Sequence, residues 1–138
     1  STSADAGHLA YLEATVAAAR AAPLSAKKAM LAAMLADAHA DRLMPAGGDI
    51  LAFRSELAAK HPALALVFDL VAGRAKLVTD AVEIPLADYP ELGVEDFMVS
   101  LYNNHTVQRV RIVGADGARQ DVHSVMDDTV SALRAHQP

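Results

Sequence analysis

The stretch from Thr106 to Ser124, TVQRVRIVGADGARQDVHS, leaves this chain few choices. Two runs rich in β-branched residues flank Gly114-Ala115-Asp116-Gly117. That tetrad suits a type I turn closed by a glycine with positive φ, the three-residue hairpin loop that carries a bulge. With Gly117 in the left-handed region the loop is Ala115, Asp116 and Gly117, and Gly114 faces Ala118. The register then sets Asp121 opposite Arg111 and His123 opposite Arg109. One face of the hairpin carries Val110, Ile112 and Val122. The other carries Arg109, Arg111, Arg119, Asp121 and His123.

Around this hairpin the chain reads as one α+β domain over residues 1–138, mainly helical over 1–76 and mixed over 77–138. Alanine is dense up to about residue 75 and sparse afterwards, while β-branched residues become frequent after Leu77. Either part alone would be marginal, so the two read as one domain. The expected order is an N-terminal layer of about four helices, then β-α-β-β-α with a small antiparallel sheet. The last helix should cover the same sheet face as the first four.

The helix boundaries follow from capping residues and breakers. A first helix over about 5–22 stops before Pro23, with Leu9, Leu12, Val16 and Ala19 at helical spacing. Ser25 is a natural N-cap for a second, reaching about Met44, with Met30, Leu31, Met34, Leu35 and Ala38 inward. Asp49 caps a third, with Ile50, Phe53 and Leu57 inward. His61-Pro62 ends it, and Pro62 suits the first position of a fourth. Leu64, Val67, Phe68 and Val71 make that fourth helix the expected centre of the core.

Beyond Gly73 the pattern changes. Val82 to Leu86 reads as a short strand that Pro85 pushes to a sheet edge. Val94, Phe97, Met98 and Leu101 recur at helical spacing, although Phe97, Val99 and Leu101 also alternate as a strand would. Asn103 or Asn104 can end this helix in a left-handed conformation. Ser124 and Asp127 resemble a capping box opening a last helix, with Val125, Thr129, Val130 and Leu133 inward.

Composition narrows the chemistry. Aromatics are 4% and cysteine is absent, so the core is aliphatic, and disulfides, thiol nucleophiles and Cys-ligated metals are excluded. A cysteine-free chain with no recognisable targeting segment fits the cytoplasm. Residues 1–80 hold eight basic and eight acidic side chains, whereas 81–138 hold four against nine. No basic residue lies between Lys76 and Arg109, a gap containing Asp80, Glu83, Asp88, Glu91, Glu95 and Asp96. Nucleic acid, which needs the opposite sign over a broad surface, is not an expected partner, and neither is a membrane.

Six histidines invite a metal reading. His8, His61 and His136 fall near helix ends or termini, where exposed histidines are common. His39 lies between Asp37 and Asp41 but points away from them, so pairing with Arg42 or plain solvation is expected. No metal-binding spacing, nucleophile elbow or phosphate loop occurs, and no metal or cofactor is expected. The one candidate ligand site is the polar hairpin face. There Arg109, Arg111 and Arg119 could hold an anion, with His105 or His123 moving a proton. Its structural reading is a solvated sheet face. With no convergent catalytic set, the leading expectation is a non-catalytic interaction or regulatory module that forms a homodimer and has a possible protein partner. The acidic gap would meet the arginine face of the other subunit. The alternative is an anion-binding protein or cofactor-free enzyme using the hairpin face.

Overall fold

The computed structural model describes the backbone of residues 3–138 and the side chains of 5–85 and 87–138. Four helices come first: α1 (Ser3–Ala21), α2 (Ala26–Arg42), α3 (Ile50–Lys60) and α4 (Pro62–Ala72). Strand β1 (Lys76–Glu83), a 3-10 helix (Leu86–Glu91), α5 (Val94–Tyr102), β2 (Thr106–Val113), β3 (Arg119–Asp121) and α6 (Val122–Ala135) follow. The architecture is α+β in the expected order.

The caps explain the boundaries of the helical layer. The Ser25 hydroxyl accepts the Lys28 N–H, and the Asp49 carboxylate accepts those of Leu51 and Ala52. Each satisfies a donor that the first helical turn leaves unpaired. Pro62 occupies the start of α4, and Gly73, at φ +85°, ends it in the left-handed region.

Helix α2 is central, lying against α1, α4 and α6. Its buried face is Ala29, Ala32, Ala33, Ala36, His39 and Ala40. This corrects the expected stripe: Leu31 and Met34 are 45% and 50% exposed, and Ala38 is exposed too. Three neighbouring helices close on α2 along a face where every side chain but His39 is methyl-sized, so the larger apolar residues move to the flanks. Met30 and Leu35 pack against the edge of the core from there. As expected, Leu64 and Phe68 of α4 are 0% and 7% exposed.

The sheet has the order β1-β2-β3, both pairs antiparallel. Gly117 has φ +82°, the Gly114 N–H reaches the Ala118 carbonyl, and Arg111 faces Asp121, so the expected loop and register hold. Strand β1 differs from expectation. It starts six residues early, pairs along its whole length with β2 from Lys76↔Val113 to Glu83↔Thr106, and ends before Pro85. Pro85 instead opens the 3-10 turn.

The inner sheet face, with Val110 and Ile112, joins the helical core. The outer face carries Val107, Arg109, Arg111 and Val113 of β2 beside Val82, Asp80, Val78 and Lys76 of β1. Helix α5 lies against β2 on this outer side. The helical layer therefore covers the inner face around Leu77, Val110 and Ile112, and α5 covers part of the outer face.

The last helix opens earlier than expected. Asp121, the last residue of β3, is its N-cap and accepts the Ser124 N–H. Asp127 is not part of a capping box but pairs with Arg20. A strand that runs into a helix without a loop turns Val122 into the core as a helical residue and takes His123 off the sheet.

Candidate functional site

The polar outer face is built by register. Asp80 lies opposite Arg109, and Val78 opposite Arg111, which faces Asp121 on its other side. The arginines are not left free for an anion. Arg109 donates to Asp96 of α5 at 2.9 Å, Arg119 to Asp80 at 2.7 Å, and Arg111 lies 3.8 Å from the same Asp80 carboxylate. Arg111 also donates to the Arg119 carbonyl at 3.0 Å. The acidic gap thus meets the arginine face within one chain, where the sequence suggested a contact between subunits.

The two histidines do not converge on this face. His123 sits in α6 with its ring against the Pro23 carbonyl, 3.2 Å away, so the expected position opposite Arg109 is corrected. His105 lies just before β2, where its Nδ1 pairs with the Tyr89 hydroxyl. Asn104 and His105 have φ of 54° and 62°, so two consecutive non-glycine residues hold the left-handed conformation at the α5–β2 junction. The expected asparagine stop is present, extended by one residue that tolerates it less well. Arg111 and Arg119 share the Asp80 carboxylate and Arg109 takes Asp96, while His105 and His123 stand outside both pairings.

The remaining histidines form pairs that the sequence did not reveal. His8 and His39 stack with their Nδ1 atoms 2.9 Å apart, and His39 Nε2 lies 3.1 Å from Gln137 Oε1. His61 Nε2 is 2.9 Å from His136 Nε2. His39 is fully buried, not solvated, and Asp37 and Asp41 both bind Arg54 instead. Burial first, and then the neighbouring charges of Arg42 and His39, lower the His8 pKa. Burial first, then His136 and Lys60, lower that of His61. Among the described residues no three His, Asp or Glu side chains converge as metal ligands. These pairs tie the C-terminal residues to α1, α2 and the start of α4.

A groove of about 440 Å³ runs between α1 and α6 over Val16, Ala17 and Val130. Its polar groups are mutually neutralised as Arg20–Asp127 and Arg134–Glu13. The Arg134 hydrogen bond holds the Glu13 carboxyl below its ordinary value, so Glu13 stays an anion and offers no proton near neutral pH.

The least satisfied surface is α5. Val94, Phe97, Met98, Leu101 and Tyr102 occupy positions i, i+3, i+4, i+7 and i+8, one side of a helix. They are 80%, 40%, 48%, 52% and 82% exposed. The opposite side carries Ser100, fully buried, and Asp96, which binds Arg109. The helix is amphipathic with its apolar stripe turned outward. Periodicity in the sequence gave the stripe but could not orient it. The signal for orientation was the small Ser100 on the other side, which lets α5 lie close over the outer sheet face where Val107 is buried. No helix among the described residues is long and apolar enough to cross a membrane. Compared with protein-family models, curated proteins and solved structures, the chain matches none of them.

Proposed function

We propose that this protein is a non-catalytic interaction module that self-associates and docks a protein partner through α5. The observation that carries the reading is the outward stripe of Val94, Phe97, Met98, Leu101 and Tyr102. An isolated exposed leucine is ordinary, but a contiguous apolar helix face is the pattern by which helices bind partners. Glu95 in the first turn of α5 and Glu91 just before that helix have no ion-pair partner among the described residues. They favour a partner segment with an apolar centre and a basic rim. The anion-binding alternative loses support because the guanidinium groups it needs already lie beside Asp80 and Asp96.

A labelled amphipathic helical peptide of leucine and lysine serves as the probe, with its leucine–glutamate counterpart as control. Fluorescence anisotropy should show the lysine peptide binding the native chain, more weakly in higher salt. The Met98→Glu/Leu101→Glu double variant should lose that binding at least tenfold. Binding that the double variant leaves unchanged, or equal binding of both peptides, would contradict docking at α5.

A further inference from the structure

We infer that two copies of this chain join through the free edge of β1, pairing antiparallel about a two-fold axis to form one continuous six-stranded sheet. The inference rests on the self-association proposed above and names its interface.

Strand β1 is the long edge of the sheet, with β2 on one side and, among the described residues, no strand on the other. The Ile84 N–H bonds the His105 carbonyl at 2.7 Å, which identifies that pair as hydrogen-bonded. Antiparallel alternation then directs the backbone groups of Val82, Asp80, Val78 and Lys76 toward β2. Those of Leu77, Thr79, Ala81 and Glu83 point away. Thr79, Ala81 and Glu83 are exposed, so the far half of this edge is uncovered. Glycine and proline are absent from the strand, and its pairing with β2 runs without a bulge. Asp80, the charge that would guard the middle of such an edge, is turned onto the outer face and held by Arg119 and Arg111.

The geometry of a two-fold contact selects the register. Antiparallel neighbours related by a two-fold must share sheet faces, so the axis stands perpendicular to the sheet and outward-pointing residues pair with outward-pointing residues. Centring on Thr79 meets this rule. It pairs Thr79 with the partner's Thr79 and Leu77 with the partner's Ala81, on both sides of the axis. It also avoids setting Asp80 directly against the partner's Asp80, which would be unfavourable.

Charge favours a second copy as the occupant. Lys76 opens β1 and Glu83 closes it, and neither has an ion-pair partner among the described residues. Reversing the strand in the partner sets Lys76 opposite the partner's Val82 and diagonal to the partner's Asp80 on the shared outer face, and brings no like charges face to face. Leu77 packs against the helical core, whereas Thr79, Ala81 and Glu83 on the same face are exposed. Self-pairing therefore sets the uncovered half of one sheet beside the helix-covered half of the other. Both α5 helices end on the same outer face, which makes the dimer bivalent for an α5 partner.

The chain contains no cysteine, so a single introduced thiol reports this contact cleanly. Opposed residues of a hydrogen-bonded antiparallel pair lie about 5.5 Å apart at Cα, within the roughly 4.4–6.8 Å a disulfide spans. Thr79→Cys should form a disulfide-linked dimer under mild oxidation, while Ser55→Cys, exposed on α3, should not. Ala81→Pro removes an outward N–H that β2 does not use, so it should abolish the dimer and keep the native far-UV spectrum. A wild-type dimer that neither cross-links through Thr79→Cys nor dissociates in Ala81→Pro would overturn this interface and leave self-association standing. A wild-type monomer throughout the micromolar range would overturn both. If Ala81→Pro unfolds, Thr79→Cys cross-linking alone decides: at least tenfold faster than Ser55→Cys supports the edge, and equal rates refute it.

Discussion

Single side chains decide which parts of this molecule are fixed. Phe68 is 7% exposed, with the Arg54 guanidinium carbon 4.0 Å from its ring centre. Truncating it opens a cavity and removes the surface on which Arg54 rests. Phe68→Ala should cost about 3–5 kcal/mol in a urea melt, against less than about 0.5 kcal/mol for an exposed site such as Leu51→Ala. The histidine pairs set a pH dependence. Burial lowers the pKa of His8 and His61 in the folded chain, so the unfolded chain takes up protons more readily just below the ordinary histidine value of about 6.5. Their contribution is present above that value and is lost as pH falls through the lower folded values. The melting temperature should therefore drop between pH 7.5 and 5, and His8→Ala with His61→Ala should flatten the drop. An unchanged slope in that double variant would remove the pairs from the account.

Among the elements, the hairpin was the most legible, because its loop is decided by chemistry inside one tetrad. Gly117 needs φ +82°, and no atom stands within 4 Å of where a Cβ would be. Gly117→Ala should thus cost about 1–2 kcal/mol through backbone strain alone, measurable by thermal melt. The four N-terminal helices were legible for the same reason, since Ser25, Asp49 and Pro62 act within one turn. The face of α2 was not legible, because alanine carries little apolar signal and Leu31 and Met34 suggested the wrong side. The start of β1 was hidden by Lys76 and Asp80, the latter held by Arg111 and Arg119 of strands distant in sequence. On the candidate ligand face the row of arginines was legible, but its pairing with Asp80 and Asp96 was not, since those carboxylates reach it only through the fold. For α5, Ser100 faces the sheet and is fully buried. Ser100→Leu should overpack this contact at a cost of about 1–3 kcal/mol, whereas Leu101→Glu, one residue on, should leave stability nearly unchanged. The reverse ranking would mean that α5 presents its other side.

At the scale of the molecule, the two sheet faces play different parts. The inner face around Leu77, Val110 and Ile112 is closed by α2 and α6, and it holds the fold together. The outer face is tied by Arg109–Asp96 and the Asp80 cluster, and it carries α5 with its apolar stripe outward. Beside it, β1 leaves an unpaired edge whose ends carry opposite charges. The proposed self-association and partner docking would both use surfaces that the chain leaves unsatisfied when alone. Sedimentation velocity of the wild-type chain at micromolar concentration tests this most directly. The account predicts a species of twice the 14.5 kDa chain mass, and a 14.5 kDa species throughout that range would contradict it.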